Sequence, residues 1–216
     1  MTSLLHKAFG FWRQAAVLFG KWGDTAPIDS VATLEDFVAT RSAYVAQKTL
    51  YGYVKTRMGT RYPVMFEDAN IVASLNIARA HVFAACLSDL TLYTVVAALP
   101  DAANDDRAAL ARHCYAQALR QNIGAAPAEF SSDAAIDEFG QRLVEIDWHL
   151  ARQPEIFNRS PRALVKWAPI AEKLKKLDSE VVENSVKFAW RDVREQFNKR
   201  LAAGAVGADW ARQPAG

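Results

Sequence analysis

The sequence lacks the short motifs that mark the common enzyme classes. It contains no Gly-x-Ser-x-Gly, no phosphate-binding Gly-rich loop, no Gly-x-Gly-x-x-Gly, no His-Glu-x-x-His and no Cys-x-x-Cys. These absences leave an α/β serine hydrolase, a nucleotide-binding α/β domain, a zinc protease and a thioredoxin-like redox domain without support. The sequence therefore favours a protein that is not an enzyme and that needs neither a cofactor nor a metal.

Cysteine is scarce, and its two occurrences predict no disulfide scaffold. Cys86 and Cys114 both lie in predicted helix interiors among apolar residues. We expect two buried free thiols in a reducing compartment, and a bridge between the two helices is the alternative.

Long uncharged apolar runs are also missing. Arg79 and Asp89 divide the most apolar segment into uncharged runs of 9 and 11 residues, whereas a membrane-spanning helix needs about 20. Near the N-terminus, Arg13 interrupts what would be the apolar core of a signal peptide. We expect a cytoplasmic protein, and a peripheral position on the inner face of a membrane is the alternative.

The segment between Pro63 and Pro100 contains neither glycine nor proline and is rich in Ala and Leu, which predicts a long helix over about 64–99. Its polar residues occupy two opposite sides at the helical period of about 100° per residue. One side carries Glu67, Asn70, Ser74, His81 and Ser88, and the other carries Asp68, Asn76 and Arg79. A helix on the surface has a single polar stripe, so this pattern predicts the central helix of a bundle.

Helical patterns cover almost all of the remaining chain, and strand signals are weak. We predict an all-α, single-domain bundle of six or seven helices around the central one. Further helices are predicted after Thr33 as far as Met58 with Gly59 as the stop, from near Asp101 or Asn104 to just before Gly124, over 133–150, from Ser160 with a kink or split at Pro169, and after Asp178 to just before Gly204. The predicted organisation is an amphipathic N-terminal helix at 1–23, the bundle at 30–204 and a loosely ordered tail at 205–216.

Charge is segregated along the chain, and the second helix is basic. Residues 1–66 carry a net charge of +4, residues 67–138 carry −6 and residues 139–216 carry +4, and no acidic residue occurs from Val38 to Phe66. Arginine, lysine and tyrosine together suit an acidic or phosphate-bearing partner. The predicted partner-binding residues are Arg41, Tyr44, Lys48, Tyr51, Lys55, Arg57, Arg61 and Tyr62. The alternatives are a solvated basic face, or cations that pair with the acidic middle of the same chain.

The N-terminal segment is apolar over most of its predicted helical surface. Its predicted hydrophobic contact residues are Phe9, Trp12, Phe19 and Trp22, and its narrow polar strip is cationic. Such a helix packs on its own bundle, fills a groove of a partner protein, or lies in an anionic membrane surface. The sequence leaves these three interpretations open.

Three polar residues of the central helix form the alternative site. If the protein is an enzyme or a ligand-binding protein, we expect a pocket near His81 and Arg79, with Asp89 as the third residue. Otherwise His81 is a hydrogen-bonded core residue, and Arg79, Asp89 and Asp68 belong to structural ion pairs. Glu145 and His149 lie four residues apart on a predicted helix, but a pair of ligands does not make a metal site.

The favoured hypothesis is a non-enzymatic helical accessory protein that presents its basic, tyrosine-rich surface to an acidic or phosphate-bearing protein. The alternatives are the pocket near His81 and Arg79 and a peripheral membrane role for the N-terminal helix. Nucleic acid is a less favoured partner because the net charge is only +2. Self-association through the oppositely charged segments is a further hypothesis.

Overall fold

The structure is a computed structural model that describes residues 25–124 and 126–213. Its helices are α1 (Val31–Met58), α2 (Tyr62–Met65), α3 (Ala69–Ala98), α4 (Asn104–Ile123), α5 (Ser132–Glu145), α6 (Arg159–Trp167), α7 (Glu172–Arg200) and α8 (Ala203–Trp210). Two short 3₁₀ turns, Gly59–Arg61 and Pro154–Ile156, complete the secondary structure. Within the described ranges there are seven helices of eight or more residues and no strand, so the predicted all-α single-domain bundle is confirmed.

The central helix of the bundle is α3. It packs against α1, α4, α6 and α8, and residues 86–95 are all buried. The helix begins at Ala69, a few residues later than predicted, because the Asp68 carboxylate caps it. Asp68 Oδ1 accepts hydrogen bonds from the backbone N–H groups of Asn70 at 2.8 Å and Ile71 at 3.3 Å. Asp68 is therefore a helix cap and not the ion-pair member that the sequence predicted.

Helix α3 is also the one described helix that is long and apolar enough to cross a membrane. Half of its most apolar window is buried inside the bundle. The core helix of a bundle meets the same length and hydropathy criteria, so the location of the protein stays a prediction.

Helix α1 is fixed at both ends by the signals that its sequence contains. The Ser30 hydroxyl accepts from the Thr33 N–H, and the Thr33 hydroxyl accepts from the Ser30 N–H at 3.0 Å, so the helix starts before the predicted Thr33. At the other end Gly59 has a φ of 57°, a conformation that glycine adopts without strain, and the predicted stop is confirmed.

The C-terminal residues pack on the start of α1. Asp209 Oδ2 accepts from the Val31 N–H at 2.9 Å, and an isolated parallel β-bridge joins Ile28 to Leu201. Val206 in α8 is fully buried. The tail that was predicted to be loosely ordered from residue 205 is thus helical as far as Trp210, because Val206 and Asp209 have partners elsewhere in the bundle.

Helices in the second half of the chain differ from the predicted bounds. Helix α5 ends at Glu145, and Ile146 has an extended backbone, so the predicted continuation to Leu150 is wrong. The predicted split at Pro169 is confirmed, since α6 ends at Trp167 and α7 begins at Glu172.

Both cysteines are free and almost completely buried, Cys86 at 1% and Cys114 at 0% exposure. The predicted N-terminal helix, with Phe9, Trp12, Phe19 and Trp22, lies outside the described residues.

Candidate functional site

An open cleft of about 380 Å³ lies along one face of α3, between α5 and α6. Four residues of α3 with helical spacing form its floor: His81, Ala84, Ala85 and Ser88. The walls are formed by Ala135, Glu138, Phe139 and Arg142 of α5 and by Arg159, Arg162, Ala163, Lys166 and Trp167 of α6, with Tyr115 of α4 and Phe130 of the preceding loop. Several charged side chains line this cleft.

The two ends of the cleft are set by the antiparallel packing of α6 on α3. His81 contacts Trp167 near the end of α6, whereas Asp89 contacts Ser160 near its start. The floor from His81 to Ser88 spans about 10 Å at 1.5 Å of rise per residue.

At one end of the cleft the His81 imidazole is held between aromatic rings. It stacks on Trp167 with a centroid distance of 3.5 Å and an interplanar angle of 1°, and it meets Phe130 edge to face at 5.0 Å. His81 Nε2 lies 3.3 Å from the carbonyl oxygen of Glu129. Burial lowers the pKa of His81, and the nearby Lys166 ammonium acts in the same direction. A neutral imidazole that donates from Nε2 keeps Nδ1 as an acceptor.

At the other end a buried ion pair lies beneath the cleft. Arg142 Nη1 donates to Asp89 Oδ1 at 2.8 Å and to the Ser88 hydroxyl at 2.6 Å. Asp89 is 0% exposed and Arg142 is 7% exposed. Burial raises the pKa of the Asp89 carboxyl, and the Arg142 guanidinium and the Ser160 donors counter that rise. Asp89 thus belongs to a structural ion pair, one of the two roles that the sequence left open.

The Asp89 carboxylate also caps α6 from a neighbouring helix. It accepts from the Ser160 N–H at 2.8 Å, the Ser160 hydroxyl at 2.7 Å and the Arg159 N–H at 3.3 Å. These are the first N–H groups of α6, and its own N-cap residue, Asn158, makes no side-chain cap. The Ser160 hydroxyl in turn accepts from Trp190 Nε1 of α7 at 2.9 Å. One carboxylate therefore fixes the start of the helix that forms a wall of the cleft.

Helix α6 presents three cations to the cleft. Arg159, Arg162 and Lys166 follow one another at intervals of three and four residues and so share one face. Arg159 pairs with Glu138 at 3.1 Å. Among residues 25–124 and 126–213, no acidic side chain pairs with Arg162 or Lys166, and both are exposed. The open side of the cleft is therefore positive.

The structure separates the three residues of the predicted alternative site. His81 lines the cleft, whereas Asp89 is sealed beneath it. Arg79 lies two residues from His81, about 200° around the helix, and does not line the cleft. It faces α1, where burial raises the pKa of Tyr51 to about 12 and the Arg79 charge counters the rise. The predicted grouping of all three in one pocket is wrong.

The predicted basic, tyrosine-rich surface is not continuous. Arg41 is 1% exposed and Tyr44 is 8% exposed, so both are corrected from surface to buried residues. Arg41 Nε donates to Gln196 Oε1 of α7 at 2.9 Å, and its guanidinium lies 5.4 Å from the Phe37 ring centroid. Packing of α7 on α1 therefore covers the first residue of the predicted surface.

The rest of that surface is partly occupied by intramolecular contacts. Arg57 forms an ion pair with the buried Asp178 of α7, and Tyr51 stacks on Phe66 at 5.8 Å. Besides Arg57, which is exposed but paired, four members are exposed, namely Lys48, Lys55, Arg61 and Tyr62. Lys55 Nζ lies 4.6 Å from the Tyr62 ring centroid. Recognition of an acidic partner by these four residues stays a prediction.

The described residues offer no ligand set for a metal. Within 25–124 and 126–213, no three His, Cys, Asp or Glu side chains are grouped as metal ligands. Glu145 ends α5 and His149 follows in a turn, so the two do not share a helix.

Five residues that give the cleft its charge and shape were not among the predicted site residues: Arg142, Arg159, Arg162, Lys166 and Trp167. Arg159, Arg162 and Lys166 are spaced by three and four residues around the start of the helix predicted from Ser160. This spacing is a local signal that identifies a basic face. No sequence signal shows that this face opposes His81, since 85 residues separate His81 from Lys166.

In comparisons with known proteins, no protein-family model, no curated protein and no solved structure matches the chain.

Proposed function

We propose that the protein binds a small anionic molecule in the cleft between α3, α5 and α6, and that Arg162 and Lys166 recognise its negative charge. The observation that carries this proposal is that both cations face an open cleft and have no acidic partner among the described residues. A guanidinium binds a carboxylate or phosphate through two parallel N–H donors, and an ammonium adds a mobile point charge.

The backbone positions of the helices around the cleft are supported by contacts beneath it. The buried Arg142–Asp89 pair and the Asp89 cap on α6 connect the three helices beneath the cleft. A site that is ordered before its ligand arrives loses less conformational entropy on binding.

This function corresponds to the predicted small-ligand alternative, but with a different set of residues. His81 remains, whereas Arg79 and Asp89 give way to Arg162 and Lys166 of α6. The favoured sequence hypothesis, an acidic protein bound by the α1 surface, now depends on the exposed Lys48, Lys55, Arg61 and Tyr62.

Isothermal titration calorimetry with a panel of small carboxylates and phosphates tests the proposal. The double charge reversal Arg162→Glu, Lys166→Glu is expected to weaken binding by at least about tenfold, equivalent to 1.4 kcal/mol. The matched control is Arg112→Glu, Lys199→Glu at two exposed positions outside the cleft, which changes the net charge equally and also replaces one arginine and one lysine. The control is expected to bind as the wild type does.

Two results would overturn the proposal. One is equal weakening by both double variants, since binding would then follow net charge and not the cleft. The other is a wild-type protein that binds no member of the panel at millimolar concentration.

A further inference from the structure

Four alanines from three helices form part of the uncharged surface of the cleft. Ala84 and Ala85 on α3, Ala135 on α5 and Ala163 on α6 all line it. Ala85, Ala135 and Ala163 are partly exposed. A methyl group at each of these positions leaves open the space that a larger side chain would fill. The apolar part of a ligand therefore meets methyl groups.

The aromatic rings around the cleft have little free surface. Tyr115 and Phe139 stack on each other at a centroid distance of 4.1 Å, and each is 2% exposed. Phe130 is 6% exposed, and His81 and Trp167 stack on each other. A purine, pyrimidine or phenyl ring would need an accessible ring face for stacking. The rings of Tyr115, Phe139 and Phe130 are buried, and the stack uses one face each of the partly exposed His81 and Trp167 rings. The Lys166 ammonium also lies 5.1 Å from the Trp167 ring centroid, so little ring surface is left for a ligand.

The charges around the cleft favour a ligand with two negative charges. Four cations line it, and Asp89 neutralises Arg142 while Glu138 neutralises Arg159. Arg162 and Lys166 are the two lining cations that have no acidic partner among the described residues. They lie four residues apart on α6, which places their Cα atoms about 6 Å apart along the helix axis.

On the basis of the proposed function, we infer that the ligand is a small aliphatic dianion, a short-chain dicarboxylate or an alkyl phosphate, and that the cleft discriminates against aromatic dianions. The two negative charges match Arg162 and Lys166. The carbon chain lies along the alanine-lined floor, whose length of about 10 Å accommodates a chain of a few carbons.

Calorimetric titration of the full chain with five probes tests this inference. The aliphatic probes are glutarate, adipate and propyl phosphate, and the aromatic probes are phenyl phosphate and adenosine monophosphate. The best aliphatic probe is expected to bind at least about tenfold more tightly than either aromatic one. If a dicarboxylate binds best, the two negative charges come from two carboxylates. If propyl phosphate binds best, they come from one phosphate group.

The outcomes separate this inference from the proposed function. If an aromatic dianion binds as tightly as the best aliphatic one, and the Arg162→Glu, Lys166→Glu variant weakens it, the inference is wrong and the proposed function stands. If none of the five probes binds while another anion of the panel does, the inference alone is wrong. If no anion of the panel binds, or if the double charge reversal leaves binding unchanged, both are wrong.

A cleft-filling substitution provides an independent readout. Ala163→Leu places a branched side chain in the cleft and is expected to weaken binding of the best aliphatic probe by about tenfold. Ala109→Leu, on an exposed position of α4 outside the cleft, is the control and is expected to leave binding unchanged. Ala135→Leu makes the same test from the opposite wall if Ala163→Leu does not fold. Unchanged affinity in a folded cleft-filling variant would contradict the inference.

Discussion

Replacing Asp89 by alanine is expected to lower the free energy of unfolding by about 3–5 kcal/mol, the cost of breaking a buried ion pair at one partner. The carboxylate is 0% exposed, and so water cannot replace it readily. Arg142 would keep its bonds to the Ser88 hydroxyl and the Ile156 carbonyl oxygen, but its charge would have no buried counterion.

The expected loss also includes the donors of α6. The Ser160 N–H and hydroxyl and the Arg159 N–H would all lose their acceptor. A buried donor without a partner costs about 1–3 kcal/mol. These costs are not additive because the start of α6 can relax, so we expect the total to stay within the range for the ion pair. The expected loss is a large fraction of the free energy of unfolding of a typical domain, which is roughly 5–15 kcal/mol.

Urea denaturation followed by circular dichroism measures the loss. The double variant Asp89→Leu, Arg142→Met removes both charges and is expected to lose less than Asp89→Ala alone, because no unpaired charge stays buried. Glu183→Ala, which breaks an exposed pair with Lys187, is the control and should cost about 0–1 kcal/mol. A cost for Asp89→Ala as small as that of the control would refute the argument.

Three further predictions concern other parts of the bundle. Burial lowers the pKa of His81, so the imidazole binds a proton more readily in the unfolded chain than in the folded protein. The free energy of unfolding should therefore fall as the pH drops below about 6.5. His81→Phe should reduce that fall in urea titrations between pH 7 and pH 5. Burial raises the pKa of both Cys86 and Cys114, so a thiol reagent should modify neither in the folded protein and both in urea; rapid labelling of the native protein would contradict their burial. Asp178→Ala removes the carboxylate that pairs with Arg57 and joins α7 to α1; thermal denaturation should show a loss of about 1–3 kcal/mol, and an unchanged melting temperature would show that the pair contributes nothing.

The features that could be predicted from the sequence depend on local chemistry. Gly59 ends α1 because it adopts a positive φ, and Pro169 separates α6 from α7 because it has no N–H to donate. The central position of α3 followed from polar residues on opposite sides of one helix. Each signal lies within a few turns of the element that it determines.

The surface predicted on α1 was partly wrong because heptad spacing carries no information about neighbouring helices. Arg41, Lys48 and Lys55 are seven residues apart, but a straight helix drifts by about 20° per heptad. Near Arg41 the helix packs against Gln196 of α7, which buries the arginine, whereas Lys48 is exposed. The difference depends on where α7 crosses α1, a contact between residues 155 positions apart.

The candidate site could not be predicted because it depends on contacts between three helices distant in sequence. Arg142 meets Asp89 across 53 residues, and the His81–Trp167 stack joins α3 to α6. The local spacing of Arg159, Arg162 and Lys166 identifies a cationic face and nothing about what lies opposite. In the sequence, an alanine that lines a cleft cannot be distinguished from an alanine that allows two helices to pack closely.

The position of Asp89 connects the stability of the bundle to the geometry of the cleft. This carboxylate holds the first N–H groups of α6, and a helix moves largely as a rigid rod from the point where it is anchored. Lys166 lies seven residues beyond Arg159 on the same helix, so a tilt at the Asp89 contact is carried over about 10 Å to the far end of the cleft. Asp89, which bonds to both α5 and α6 from α3, therefore also influences the separation between the α6 cations and the alanine floor. We conclude that the buried charge beneath the cleft serves to position the exposed charges above it.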